Sequence, residues 1–311
     1  MNKKFELICQ MSQLRLKKYV EVALKKTHND ITVGDGFVFA KGTFPVLLVA
    51  HLDTVHEVLP EVILYDVSRN AISSPQGIGG DDRCGVYMIL DIVKKYNCSV
   101  LFCEDEESGG IGAKKFIETD LAKELEFNYA IELDRRGSKD AVFYDCDNEE
   151  FEEFITKDFF KTAYGSFSDI SIVAPFLKCA AVNLSCGYYN AHQNSEYVLL
   201  DEMERVIEEV YNILDRTTEN DKFEYVDCVR DYSGKYWNTY NRSSSYSWYD
   251  TYYQDSFNLY YVIEYINVNR KTDWFETFAS SEAEAVGRFL MWNPELCYND
   301  IIDIMVDKTG Y

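Results

Sequence analysis

The chain has 311 residues, enough for one large domain or two unequal ones. At 47% hydrophobic and 27% charged residues, the composition excludes a wholly disordered chain. The 53 acidic residues against 31 basic give a formal charge of −22. Such a surface repels phosphate backbones and anionic head groups, so no nucleic acid and no membrane is expected as a partner.

No run reaches the roughly 18 consecutive apolar residues of a membrane span. The first residues carry lysines but no apolar stretch of signal-peptide quality, so a cytoplasmic location is expected. Nine cysteines then read as reduced thiols, and no pair has the CxxC spacing of a zinc site. Only four histidines are present, His28, His51, His56 and His192, so any imidazole chemistry must draw on these.

In chain order, residues 3–26 place Phe5, Ile8, Leu14, Leu16, Val20, Val22 and Leu24 at helical spacing and predict one amphipathic opening helix. Residues 37–40 and 46–50 are apolar runs, and the second predicts a strand buried on both faces. Residues 86–95 follow a Gly/Asp turn with helical periodicity. Residues 99–103 predict a second buried strand, 111–117 a helix, 128–133 a third strand and 180–184 a fourth. Residues 202–214 form a closing helix with apolar positions at Met203, Val206, Val210, Ile213 and Leu214. Buried strands alternating with helices predict an α/β, three-layer sandwich around a mainly parallel sheet.

The composition changes after residue 216. Residues 230–256 are crowded with Tyr, Ser, Asn and Asp and hold no period of 2 or 3.6. The pattern then resumes. Residues 259–266 and 274–278 read as strands separated by a turn at 267–271. Ser281 and Glu284 form a capping box before a helix to about Met291, and residues 301–306 read as a last strand or short helix. The expected organisation is a catalytic domain over 1–216, a Tyr/Ser-rich linker over 217–256 and a small α+β module over 257–311.

The acidic residues and histidines fall where the apolar strands end. His51 and Asp53 follow the first buried strand. Gly80, Asp81, Asp82 and Arg83 precede a helix. Glu106 and Glu107 follow the second strand, Asp134 the third, and His192 lies just beyond the fourth. In open α/β sheets the ligand crevice lies at the carboxyl ends of the strands, so these five loops can converge. Two imidazoles with three or more carboxylates suit two divalent cations. Paired cations can polarise a carbonyl and activate water, with a spare carboxylate as general base. The Glu106–Glu107 doublet suggests one ligand and one base. Crowded carboxylates repel one another, which itself argues for a cation. Singly, each motif has a plainer reading. Asp81 and Asp82 fit a helix cap, Glu106 and Glu107 a solvated acidic turn, and Asp134 a surface pairing with Arg135 and Arg136.

The order His-x-Asp, Gly-x-Asp-Asp-Arg, Asp-Glu-Glu-x-Gly-Gly, Asp, His resembles the co-catalytic dizinc exopeptidases, over about residues 45–200. That family includes peptidase T, glutamate carboxypeptidase, acetylornithine deacetylase and aminopeptidase cousins. The resemblance implies a zinc-exopeptidase-like fold, two divalent metal ions with zinc the expected element, and hydrolysis of a peptide or amide bond. It implies metal ligation by His51, Asp81, Glu107, Asp134 and His192, with Asp81 bridging. Glu106 is then the general base, and Asp53 orients His51 through its ring N–H. It further implies a cis peptide between Asp81 and Asp82. The expected substrate is a small peptide or N-acyl amino acid. A non-catalytic metal-binding scaffold, recruiting a partner through the Tyr-rich region, is the competing reading.

Only 57 residues separate Asp134 from His192, too few for the lid domain that one branch of the family inserts there, so no lid-mediated dimer is expected. The segment Gly165–Asp169 reads either as a substrate-pocket loop or as a plain turn. Arg83, Arg135 and Arg136 are candidate partners for a substrate carboxylate, with surface pairing as the plainer reading, and His28 and His56 are expected to be structural or exposed.

Overall fold

The structure is a computed structural model describing residues 3–227, 259–266, 271–279 and 301–307. It divides into two compact units, residues 1–230 and 231–311. The first unit opens with helices α1 (Lys3–Cys9) and α2 (Gln13–Leu24), followed by strands β1 (Asp30–Gly34), β2 (Phe37–Lys41), β3 (Phe44–His51), β4 (Leu64–Asp66) and β5 (Ala71–Ser73). Then come α3 (Gly80–Ile92), β6 (Cys98–Cys103), α4 (Ile111–Ile117), α5 (Asp120–Lys123), β7 (Tyr129–Arg135), β8 (Asp140–Val142) and α6 (Glu149–Thr156). The unit closes with β9 (Lys161–Ala163), α7 (Ile170–Leu177), β10 (Ala181–Ser185), β11 (Tyr188–Tyr189), β12 (Tyr197–Leu199) and α8 (Leu200–Arg216).

The single opening helix expected over 3–26 is two helices. Gln10 and Met11 leave the helical path, and Ser12 takes an extended conformation and caps α2 by accepting from the Arg15 N–H. A serine that can satisfy an orphan N–H makes this break favourable despite the continuing apolar spacing.

Eight strands form the main sheet in the order β1-β2-β6-β3-β7-β10-β8-β9. The central four, β6-β3-β7-β10, are mutually parallel, while β2 and β8 join their outer edges antiparallel. Strand alternation explains the layers. Val46, Leu48 and Ala50 of β3 face one way with Val100, Phe102, Ile131 and Leu133, against α1, α2, α3, α6 and α8. Leu47 and Val49 face the other way with Leu101, Ala130 and Ala181, against α4 and α7. The result is the α/β three-layer sandwich, parallel at its centre.

Residues 135–191, between Asp134 and His192, supply β8, α6, β9, α7 and β10 of the sandwich and then β11 of a second sheet. A smaller sheet, β11-β12-β5-β4, carries the turn that follows His192. Residues 223–227 stay on this unit: Phe223 accepts from the Ala180 N–H, and its ring packs among Tyr129, Phe151 and Phe154. The seven cysteines among the described residues of this unit are free and buried. No helix among the described residues is long and apolar enough to cross a membrane.

The second unit contains β13 (Leu259–Ile266), β14 (Thr272–Ala279) and β15 (Ile301–Asp307), an antiparallel sheet in the order β14-β13-β15. Residues 301–307 are thus a strand. The Tyr-rich stretch 230–256, the turn at 267–270 and the helix expected over 281–291 lie outside the described residues.

Helix α3 approaches β7 backbone to backbone at Gly85, where a Cβ would overlap the Leu133 carbonyl oxygen and crowd the Asp82 carboxylate. Gly85→Ala is expected to push α3 off the sheet and to cost about 1–3 kcal/mol, the usual range for overpacking. Urea unfolding measures this. An unchanged midpoint would show that the contact yields freely.

Candidate functional site

The carboxyl ends of β6, β3 and β7 lie side by side, and each delivers part of one polar cluster. His51 is the last residue of β3, and Asp53 follows it by two. Beyond β6, Asp105 turns the chain with a left-handed φ of 59°, and Glu106 and Glu107 come next. Asp134 sits at the end of β7. Asp81 enters from the start of α3, and His192 from the loop after β11, itself at a φ of 64°. Non-glycine residues held at positive φ concentrate at sites where geometry outranks backbone comfort.

The sequence-predicted residues do meet. His51 Nε2 lies 3.0 Å from Asp81 Oδ1 and 3.4 Å from Asp134 Oδ1. His192 Nε2 lies 3.2 Å from Asp81 Oδ2 and 3.0 Å from Glu107 Oε1. Among the described residues, three groups have donor atoms within 4.8 Å of one another: His51–Asp81–Asp134, Asp81–Glu107–His192 and His51–Glu106–Glu107. Asp81 belongs to the first two, and its two oxygens face different imidazoles. The peptide between Asp81 and Asp82 is cis.

Asp53 is the anchor beneath this cluster. Its Oδ1 accepts from His51 Nδ1 at 3.1 Å and from the Glu106 N–H at 3.0 Å, and its Oδ2 accepts from the Glu107 N–H at 3.0 Å. Because Nδ1 donates to Asp53, the neutral imidazole turns the lone pair of Nε2 toward the oxygens of Asp81 and Asp134. A lone pair facing two carboxylates needs a positive charge between them. Glu107 Oε1 is buried and faces His192 Nε2 at 3.0 Å. Its donor direction is spent on nothing else in the fold. Both observations fit a pair of divalent cations, and the N/O donor set is one that zinc accepts.

The protein's own charges tell the same story. Burial works against charge on His51, yet Asp134, Asp53 and Asp81 carry its pKa well above the ordinary value. Hydrogen bonding to Asp81 and Glu107 lifts His192 to about 11. Burial and the Asp81 charge push Asp134 up to about 6, despite His51. Burial lifts Glu106 to about 9, opposed by His51 and reinforced by Asp134, Asp169 and Glu107. Asp81 stays low: burial would raise it, but His192 and His51 outweigh that. Imidazoles that hold protons beside carboxyls that resist losing theirs mark a site short of positive charge.

Several residues beyond the predicted set shape the cluster. Asn183, buried in β10, donates Nδ2 to Asp134 Oδ2 at 3.4 Å and accepts the Asp134 N–H at 3.0 Å, leaving Asp134 Oδ1 for His51. The Ser168 hydroxyl lies between Glu132 and Asp134. Glu132 is fully buried, and burial with Asp134 and Asp169 nearby raises its pKa far above the usual range. Asp82 is buried too and accepts from the His51 N–H at 3.1 Å and the Gly85 N–H at 2.9 Å, holding β3 to α3. Glu196 accepts from the Gly79 and Asp81 N–H groups. Polar side chains inside apolar strands were the available signal for Glu132 and Asn183, since burial demands that such groups have partners. Glu196 carried no comparable local signal.

Other expectations are redirected. Arg83 is 1% exposed and neither pairs at the surface nor faces a substrate. Its guanidinium donates to the Leu52 carbonyl and, at 3.1 Å, to the Met11 carbonyl, tying the α1–α2 turn to the end of β3. Arg135 pairs with Asp140 and donates to the Tyr164 carbonyl, while Arg136 is exposed. Asp169 is completely buried, and burial, against His51, raises its carboxyl to about 7. Phe167 and Asp169 come up to Gly110 in the Glu106–Glu107 loop, so the 165–169 segment borders the cluster. His28 is buried and bonds through Nε2 to the Cys98 carbonyl at 2.8 Å, and His56 bonds to Glu196, both structural contacts.

No family model matches the sequence, and no curated protein matches it. Solved structures do resemble the fold. The aminopeptidase PepT of Bacillus cereus superposes with a TM-score of 0.55 at 13% identity, covering 68% of this chain and 96% of that one. A tripeptidase from Staphylococcus aureus gives 0.54 at 13% identity, over 68% and 95% of the two chains. An aminopeptidase from the archaeon Desulfurococcus kamchatkensis gives 0.53 at 13% identity, over 70% and 94%. The sandwich expected from the strand pattern is therefore the fold these peptidases share, and this chain has that zinc-exopeptidase-like fold.

Proposed function

We propose that this protein is a metal-dependent hydrolase of peptide bonds in small peptides, of aminopeptidase type, working with two divalent cations, zinc foremost. The observation that carries the reading is Asp81, whose two oxygens join two separate donor groups. His51, Asp81 and Asp134 would hold one cation; Asp81, Glu107 and His192 would hold the other. Bound there, the cations would polarise the scissile carbonyl and make water acidic enough to attack it near neutral pH.

The chain's own groups do the rest. Glu106 takes the proton of the attacking water and passes it to the leaving amine. It is buried at the edge of the cluster and absent from the two donor groups that share Asp81, which leaves its carboxylate for proton transfer. Asp53 keeps His51 in the tautomer whose Nε2 is free and fixes the backbone from which Glu106 and Glu107 project. The aminopeptidase form is supported by the acidic surroundings, which favour a free terminal ammonium over a carboxylate. It is also supported by the arginines: Arg83 is buried on backbone carbonyls and Arg135 is paired. The shared fold of the peptidases above agrees with it.

Metal analysis with a screen of dipeptides, tripeptides and N-acyl amino acids, with and without chelator, tests the reading. Hydrolysis of free-amine peptides that chelator stops and zinc restores is expected. Turnover of N-acyl amino acids alone would move the assignment to a deacylase, and no turnover of any substrate would move it to a scaffold.

Two variants separate the roles. Glu106→Gln is expected to keep both metals and to lower kcat by about 10²–10⁴-fold, the range for a lost general base. Near-native turnover would remove Glu106 from that role. Asp53→Ala is expected to weaken metal affinity about 10–100-fold, as loss of a carboxylate behind a histidine ligand does. Calorimetric titration of the metal-stripped protein measures it, and native affinity would show that Asp53 is not needed to orient His51.

A further inference from the structure

We infer that Glu196 is a positioning residue for the cluster: its buried carboxylate fixes the backbone of Asp81 and ties that loop to the one carrying His192. This rests on the metal-dependent reading given above. Glu196 is 0% exposed. Its Oε1 accepts the Asp81 N–H at 3.0 Å, its Oε2 accepts the Gly79 N–H at 2.8 Å, and His56 Nε2 lies 2.9 Å from Oε2. Facing a carboxylate, that ring nitrogen is the donor. Three N–H groups thus converge on one carboxylate out of water, where hydrogen bonds to a charged acceptor are strongest.

The loop that Glu196 holds is built to pass close to it. Gly79 has a φ of 67°, which glycine adopts readily. A Cβ at Gly80 would come within 2.7 Å of Tyr188 Cβ, 3.0 Å of Val198 Cγ2 and 3.3 Å of Glu196 Oε1. A Cβ at Gly77 would overlap the His56 ring. Residues 77–81 therefore run through a slot walled by His56, Tyr188, Val198 and Glu196. The far wall is fixed as well, because Val198 pairs with Ile72 between β12 and β5.

The same carboxylate reaches the second histidine by a short path. The Glu196 N–H donates to the Gln193 carbonyl at 2.9 Å, closing a turn directly after His192. Asp81 and His192 come from segments more than a hundred residues apart, and this turn and its carboxylate set their separation. Glu196 is absent from all three donor groups, so it acts through Asp81 and His192. Since Asp81 belongs to two of those groups, a shift of its backbone disturbs both. The cluster is thus assembled by a buried anion that itself binds no cation.

Glu196→Gln keeps the shape but sets an amide NH₂ against at least one of the N–H donors. Glu196→Leu removes both acceptors, and His56→Leu removes one donor while leaving the carboxylate in place. Two measurements on the full chain decide the matter. The first is hydrogen–deuterium exchange over residues 77–83 in the metal-stripped protein. The second is calorimetric titration with zinc alone, followed by kcat and KM at saturating zinc. Glu196→Gln is expected to speed exchange in that segment and weaken zinc binding by about tenfold or more. Its kcat should fall while KM stays within about twofold, and Glu196→Leu should go further in the same direction. His56→Leu should give a smaller shift of the same sign, and it decides the question if the Glu196 variants fail to fold. A merely structural carboxylate would lower the urea midpoint with zinc affinity, kcat and local exchange of the folded protein unchanged, and that pattern overturns the inference. A wild-type protein that binds no zinc would instead overturn the functional reading, while exchange over 77–83 still reports on the clamp.

Discussion

Much of this fold answers to the repulsion among carboxylates gathered at one end of a parallel sheet. Asp81, Glu106, Glu107 and Asp134 lie within reach of two imidazoles, largely withdrawn from water, and Glu132 and Asp169 lie buried beneath them. In a medium of low polarity such a group stays together only if positive charge enters it or its members take up protons. The raised positions of Glu106, Asp134 and Asp169, beside strongly basic His51 and His192, are the protein's response when protons alone are available. Divalent cations relieve the same strain with far more charge in far less space.

Crowding alone does not make a site; the oxygens must also be aimed. The structure does this by giving Asp134, His51 and Asp81 fixed outer contacts. Asn183 and Ser168 occupy Asp134 Oδ2 and leave Oδ1 turned toward His51. Asp53 occupies His51 Nδ1 and leaves Nε2 turned inward. Asp82 holds the His51 backbone and Glu196 holds that of Asp81. Every one of these partners comes from a different element than the group it steadies, apart from Asp53. The sheet and its loops are thus cross-braced around the cluster, and Arg83 extends the bracing to the α1–α2 turn.

The sequence disclosed the inner ring of this arrangement far better than the outer one. His51, Asp81, Glu106, Glu107, Asp134 and His192 lie just beyond apolar runs or at the start of a helix, so the strand pattern, with the order of motifs that resembles the dizinc exopeptidases, pointed to one edge. The four central strands were legible because burial on both faces leaves an almost uninterrupted apolar string. Strands β8, β9, β11 and β12 were not, since each has only two or three residues and carries no period. The break at Ser12 was hidden because apolar spacing continues through it. Arg83 was misread because a buried guanidinium whose terminal nitrogens donate to backbone carbonyls leaves no mark in the sequence. Glu196 was hidden for a related reason: its partners are N–H groups of Gly79 and Asp81, and backbone groups have no letter.

The chain between Asp134 and His192 carries the last step of the argument. It is spent on β8, α6, β9, α7 and β10 of the sandwich and on β11 of the smaller sheet, so no stretch of it is left for a separate domain. His192, half exposed on its loop, marks the open side of the cluster. Among the loops around the cluster, the 164–169 segment borders it through Gly110. Its Tyr164 and Phe167 are 67% and 40% exposed, while Asp169 is fully buried and the segment abuts Gly110 beside Glu106 and Glu107. Two exposed aromatic rings and a buried acid thus lie on one short segment beside the cluster.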